Sequence, residues 1–175
     1  MVTLKGDHIY LRALEPEDLE FVYQIENDES IWEISNTITP YSRFLLKEYL
    51  EHAHKDIFEV KQLRLVISSY KNEVLGLIDI FDFDFSNRKA GLGILIQSDN
   101  NKDKGYGSEA IKLVLDYCFT HLGLHQLYCN ISEDNTASLK LFEKFNFEKI
   151  GLKKDWNLVN GVFKNEFLLQ IIHNN

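Results

Sequence analysis

The alternation of apolar and polar positions is clearest in the middle and C-terminal parts of the chain. Beyond residue 105, apolar side chains fall at Ala110, Ile111, Val114, Leu115 and Cys118, the spacing of one helical face, and Gly123 stops the pattern. Residues 62–70 (QLRLVISSY) and 74–83 (VLGLIDIFDF) are strand-like runs around Lys71-Asn72-Glu73, which predicts a hairpin, and 88–97 (RKAGLGILIQ) predicts a third strand. A strand over 125–131 and a short helix begun by Asn135 follow. Residues 147–159 and 162–172 flank Asn160-Gly161, a strong signal for a tight hairpin turn.

The N-terminal part reads less regularly. Two short strands are expected around Gly6-Asp7, then a helix from Pro16 to Asn27 with Leu19, Val22 and Tyr23 on one side. Segment 28–41 is irregular and acidic at its start, and Ser42 caps a second helix running through residue 58. The element order predicts a mixed α+β sheet, antiparallel in its first half, and the length predicts one domain over residues 1–175.

Composition narrows the function classes. With 45% hydrophobic and 26% charged residues the chain has the balance of a soluble globular domain. No run approaches the roughly 20 apolar residues of a membrane span, and the N-terminus has no signal-peptide core, so a cytoplasmic protein without a membrane partner is expected. Cys118 and Cys129 both sit in apolar segments and read as buried thiols. No Cys/His group has metal-ligand spacing, and His52 and His54 would face different sides of a helix, so no metal is expected. A net charge of −8 and a pI near 5.2 weigh against nucleic acid and leave a cationic small molecule as one option beside a merely solvated acidic surface.

The densest chemistry lies in KDKGYGSEA, residues 102–110. A strand precedes it and a helix follows. The first amides of a helix lack internal partners, and glycines let an anion approach the backbone, so this arrangement suits phosphate, with Gly107 kept bare for it. A plain loop leading into a helix is the alternative. No Gly-Lys-Ser/Thr is present, and no third glycine follows Gly105-Tyr106-Gly107, so neither the nucleoside-triphosphate loop nor the dinucleotide fingerprint is met.

Three stretches resemble the GNAT superfamily of acetyl-CoA-dependent N-acetyltransferases: KDKGYGSEAIKLVLDYCF (102–119), LGLHQLYCNISEDNTASLKLFEKFNF (122–147) and IYLRALEPEDLEFVYQIEND (9–28). The nearest branch contains the bacterial spermidine acetyltransferases and the acetylases of ribosomal-protein N-termini. The resemblance implies a GNAT-like, mostly antiparallel sheet with helices on both faces and a splayed cofactor-binding strand. It implies that amides of Lys102, Asp103, Lys104, Gly105, Tyr106, Gly107 and Ser108 hold the pyrophosphate of acetyl-CoA. Lys102 stands where the family carries Gln or Arg. It further implies that Ile94, Leu95 and Ile96 pair with the pantetheine arm. Asn135, Ser138, Phe142 and Lys144 would lie near the cofactor, although Asn135 also reads as a helix cap.

Two family positions are altered. The tyrosine that serves relatives as general acid is replaced by Phe142, and the glutamate often found on the central strand of spermidine enzymes is replaced by Gly91. Acetyl transfer needs a neutral amine, and an alkylamine is protonated by about 3.4 units at pH 7. Carboxylates that border the family's acceptor site are therefore candidates. Glu26, Asp28, Glu33, Asp82 and Asp84 are expected to bind substrate, with Glu33 or Asp82 as base or proton relay and Trp32, Phe81 and Phe83 as an apolar channel. The expected reaction is acetylation of a small-molecule primary amine, best a polyamine or diamine such as spermidine. The alternatives are a (ribosomal) protein N-terminus or an amino sugar, and a CoA-binding sensor with weak catalysis. A homodimer is the default assembly.

Overall fold

The computed structural model describes residues 2–97 and 104–173. Lys102 and Asp103 lie outside the described residues. Seven strands form one sheet: β1 (Ile9–Ala13), β2 (Leu63–Ser69), β3 (Val74–Asp84), β4 (Lys89–Ile96), β5 (Gln126–Ser132), β6 (Glu148–Val159) and β7 (Val162–Ile172). Their spatial order is β1-β2-β3-β4-β5-β7-β6, and every neighbouring pair is antiparallel except β4 with β5. Parallel neighbours need a crossover, and the helix α5 (Tyr106–Asp116) supplies it.

The other helices are α1 (Leu19–Glu26), α2 (Trp32–Ser35), α3 (Arg43–Glu51), α4 (Ile57–Val60) and α6 (Thr136–Glu143). The pleat sends alternate side chains to opposite faces, so the hydrophobic interior divides in two. Leu65, Ile67, Ile78 and Ile80 join Ala110, Ile111 and Val114 of α5 in the main core, whereas Val66 and Leu77 meet Ile25 of α1 on the opposite face. Each large aliphatic side chain buried this way contributes about 1.5–3 kcal/mol. Arg12 of β1 ties the chain to the approach of α1: its guanidinium donates twice to Asp18, at 2.7 and 2.8 Å.

Four sequence expectations change at the element level. Only one N-terminal strand forms, because the turn closed by Gly6 N donating to Ile9 O leaves a single bridge between Lys5 and Tyr10. The helix expected over 42–58 starts at its Ser42 cap but ends at Glu51. Asp56 then accepts from the Phe58 amide and opens the separate α4, a local bond that competes with helix continuation. The segment 28–41 holds a 3₁₀ turn (Glu29–Ile31) and α2, stopped by Asn36 in the left-handed region. Beyond α5 the chain widens into a π turn over Tyr117–His121, closed by Leu122 N donating to Tyr117 O, before Gly123, at φ +64°, turns it. The Asn160-Gly161 turn has positive φ at both residues, as the dipeptide predicts.

Candidate active site

The parallel pairing of β4 with β5 covers only Lys89–Gly91 against Gln126–Tyr128. Beyond Gly91, β4 stays paired with β3 through Ile96 and leaves β5 behind. The opening leads into a cleft of about 1110 Å³ lined on one side by α1, α2 and α3 and on the other by residues of β5, β6 and β7. Leu95 packs toward α1, while Ile94 and Ile96 pack into the main core. The strand is therefore fixed by its side chains while its free edge faces the opening.

α5 begins at the same opening. Gly105, at φ +82°, is its N-cap and provides no side-chain bond to the first turn. The amides of Tyr106, Gly107 and Ser108 thus head a helix with no side-chain cap, where the helix dipole favours an anion. Lys144 at the end of α6 adds its ammonium there, 3.1 Å from Ser108 Oγ. Gly107 has a different reason for lacking a side chain than the sequence suggests. A Cβ at this position would lie 3.3 Å from Leu141 Cδ2 and 3.8 Å from Ile94 and Ile96, so the glycine lets α5 close on α6 and β4. Gly105 is the backbone-determined glycine of the pair, with no atom of the described residues within 4 Å of its missing Cβ.

Asn135 caps α6 by accepting from the Ser138 amide at 3.2 Å, and both residues line the cleft. Phe142 also lines it while only 2% exposed, its ring edge-on to Phe147. Cys129 lies on the cleft wall, but burial pushes its thiol up to about 12, so it stays protonated at neutral pH.

The acceptor side is built from ion pairs. Arg64 of β2 donates to both oxygens of Asp79 on β3, at 2.7 and 3.1 Å, and to Glu26 at the end of α1, at 2.6 Å. Burial disfavours the Arg64 cation, but the charge and hydrogen bonds of Asp79, together with the Glu26 charge, outweigh it and raise its pKa. Lys153 of β6 bonds Glu166 at 2.6 Å and Asn130 at 2.8 Å. Lys164 of β7 bonds Glu33 on α2 at 2.6 Å and Asp134 at 2.7 Å. Among the described lining residues, the carboxylates Glu26, Glu33, Asp79, Asp134 and Glu166 outnumber the cations Arg64, Lys153 and Lys164, so the cleft is net negative.

The expected acceptor residues separate. Glu26 and Glu33 line the cleft, and Phe81 walls it. Asp28 caps the Glu29–Ile31 turn through the Ser30 amide. Asp82 is not among the lining residues. It sits at φ +48° in a bulge of β3 and accepts from the Tyr128 hydroxyl, which burial and that bond raise to about 12. Asp84 holds the next turn through Asn87, Phe83 is buried in the main core, and the Trp32 indole donates to Glu26 O. The register shift in β3 breaks the alternation that would have kept Phe83 on the face of Asp79 and Phe81 and sends it to the core with Ile78 and Ile80, whereas Asp82 has the opposite parity to Asp79 and Phe81 from the start.

The site of the family's missing glutamate is also filled. A Cβ on Gly91 would lie 2.2 Å from the Phe81 ring, which itself stands edge-on to Tyr128. Phe81 thus occupies the space that a side chain at position 91 would need. Arg64, Tyr49, Lys153, Lys164 and Asp134 are cleft residues that the sequence reading missed. Arg64 left one signal, a lone charge inside an apolar strand.

The sheet opens between two parallel strands, and a helix start without a side-chain cap and an acid-lined cleft meet at that opening, so an anionic ligand and a cationic one can be held side by side. The chain belongs to the acetyltransferase (GNAT) domain family, which it matches over residues 8–148, and it is an N-acetyltransferase that uses acetyl-CoA. It is 29% identical to the spermidine N(1)-acetyltransferase of Vibrio cholerae, over 94% of this chain and 95% of the relative, and 30% identical to that of Escherichia coli K12, over 90% and 82%. The crystal structure of the Vibrio cholerae enzyme in complex with CoA and spermine superposes with a TM-score of 0.84 at 28% identity, covering 94% of this chain and 95% of that one. A dodecameric structure of the same Vibrio cholerae enzyme superposes at 0.78, with 28% identity and coverage of 94% and 93%. No described helix is long and apolar enough to cross a membrane, and no metal-binding cluster occurs among the described residues.

Proposed function

We propose that the chain acetylates a primary amine of a polyamine such as spermidine or spermine. The carrying observation is the net-negative cleft that runs from the β4/β5 opening to Glu33, with Phe81, Tyr41 and Tyr49 among its walls. A polyamine is a string of ammonium groups joined by methylenes, so it needs spaced carboxylates with apolar surface between them. The relatives that acetylate spermidine, one of them solved with CoA and spermine, support the same substrate class.

When bound, acetyl-CoA supplies an acyl group activated as a thioester. The residues proposed to hold it are the β4 edge at Ile94, Leu95 and Ile96, the α5 start from Lys104 to Ser108, and Asn135, Ser138 and Lys144. Lys102 and Asp103 belong to the same proposal by sequence alone. Of the two carboxylates expected as base or relay, Glu33 borders the cleft and Asp82 does not; paired to the Lys164 ammonium, Glu33 is proposed to bind a substrate ammonium and not to take the proton. Phe142 has no proton to give. A thiolate is a good leaving group, with a thiol pKa of about 8.5, so the reaction proceeds without that donor.

We place the enzyme in the cytoplasm, in keeping with its two unpaired, buried cysteines. A homodimer finds no specific support. The dodecameric relative and the apolar residues exposed along the outer strand β6 (Ile150, Trp156, Leu158) favour a larger self-assembly, measurable by light scattering. The test of function is acetyl-CoA consumption across spermidine, spermine, diamines, amino sugars and peptides. Turnover is expected to be highest on the polyamines. A clear preference for a peptide or an amino sugar rejects the polyamine assignment and leaves the family.

A further inference from the structure

The three cations of the cleft are not equally held. Arg64 grips Glu26 and Asp79, whose side chains are 16% and 24% exposed, and Lys153 grips Glu166 at 13%. Lys164 differs, because its partners Glu33 and Asp134 are 35% and 58% exposed. Ion pairs this open to water are weak and readily exchanged. The three residues come from α2, the β5–α6 turn and β7, so they meet only in the folded cleft.

The end of a lysine side chain and the end of an alkyl polyamine are the same group, a methylene bearing an ammonium with three donors. Carboxylates placed to accept one will accept the other. We propose that Lys164 is a specificity-determining residue: an internal ammonium that fills the Glu33–Asp134 pair until the distal ammonium of a polyamine displaces it. The inference rests on the polyamine reading above and deepens it. A monoamine has no second ammonium to offer and leaves Lys164 in place. A polyamine must compete with it, so Lys164 weakens polyamine binding and has little effect on a monoamine.

The test compares the unaltered enzyme with K164Q, using spermine and n-butylamine as acceptors, with spermine binding followed in parallel by calorimetry. In K164Q the KM and Kd for spermine are expected to fall about two- to five-fold, the range of an exposed ion pair, while the KM for butylamine stays put. K164R keeps the charge and is expected to keep the higher spermine KM. Lys149 pairs with Glu143 and does not line the cleft, so K149Q controls for the overall loss of one positive charge. An unchanged or raised spermine KM in K164Q, or an equal fall for butylamine or in K149Q, overturns the proposal while the polyamine reading stands. An unaltered enzyme that neither binds nor acetylates spermine or spermidine rejects that reading, and this inference with it.

Discussion

The two ends of the cleft are made of different materials. The proposed cofactor end consists of backbone: the free edge of β4, the first turn of α5 without a side-chain cap and a glycine at positive φ. The acceptor end consists of side chains from four strands and two helices that meet through ion pairs. Backbone chemistry depends on local conformation and tolerates changes in the residues that build it. Side-chain chemistry depends on who meets whom, so it can be rewritten by single substitutions. That contrast fits a chain that keeps the glycine loop while carrying Phe142 and Gly91 where relatives carry an acid donor and a carboxylate.

The sharpest way to break the comparison is at Arg64. Replacing it with leucine leaves Glu26 and Asp79 facing each other without a counter-ion. Removing one member of a fully buried pair costs about 3–5 kcal/mol. The remaining exposure of these side chains lowers the expected loss to about 2–3 kcal/mol, read as a shift in the urea midpoint. Polyamine KM is expected to change as well, because the cleft gains negative charge and loses shape. Acetyl-CoA affinity should hold. A matching loss of cofactor affinity would show that the two ends are not separately built.

The glycines probe the other end. Gly107→Val forces a branched side chain against Leu141, Ile94 and Ile96, and overpacking of this kind costs about 1–3 kcal/mol. Acetyl-CoA affinity falls because α6 and its Lys144 are displaced, not because a side chain meets phosphate. Gly105→Ala has open space around it and costs about 1–2 kcal/mol through its backbone conformation alone. Calorimetry with acetyl-CoA and thermal melts on both variants separate these routes. Equal affinity loss without destabilisation in Gly107→Val would restore the phosphate explanation.

Phe142→Tyr tests a position where the two ends meet. If proton delivery to the departing thiolate limits turnover, the new hydroxyl raises kcat while the KM for acetyl-CoA stays constant. The expected gain is well under the roughly 100-fold at the low end of general acid catalysis, because the leaving group is already good. A flat or reduced kcat assigns Phe142 to packing against Phe147.

The same division explains what was legible in the sequence. Strand and helix order from β2 onward, the Ser42 and Asn135 caps, the Gly123 turn and the Asn160-Gly161 turn are local signals, and they appear in the fold. The glycine-led start of α5 was legible because a residue at positive φ before a helix leaves a backbone signature in the sequence. The acceptor residues were not. Glu26 and Glu33 were found because carboxylates cluster there, but the same reasoning chose Asp82 and Asp84. Nothing in the run DIFDFDF announces the bulge that sends Phe83 to the core, while Asp82 already stands at the opposite parity to Asp79 and Phe81. Lys164 and Glu33 are 131 positions apart, a separation that no periodicity spans.

The smallest expected effect belongs to Glu109, in the first turn of α5, and it sharpens the idea that the cofactor end rests on backbone bonds. Its carboxylate accepts from the His8 amide at 2.9 Å and from the His8 ring at 3.2 Å, and a Cβ on Gly6 would fall 2.0 Å from its Oε1. It therefore pins the N-terminal turn to the helix that follows the proposed phosphate loop. Burial works against its charge, but the His8 bonds and those from the Ile9 and Asp7 amides outweigh burial and hold its pKa below the usual glutamate value. A carboxylate with a depressed folded pKa adds stability that is fully present above its unfolded pKa, about 4.3, and disappears as pH falls through the lower folded value. Glu109→Gln removes that contribution. The variant should be less stable by about 0.5–1 kcal/mol at pH 7, a net hydrogen-bond contribution, and should lose less additional stability on acidification than the unaltered enzyme. Urea midpoints measured from pH 7 down to pH 3.5 read both quantities. Parallel curves for the two proteins would mean that Glu109 does not carry the titration, and that the turn is held by its backbone alone.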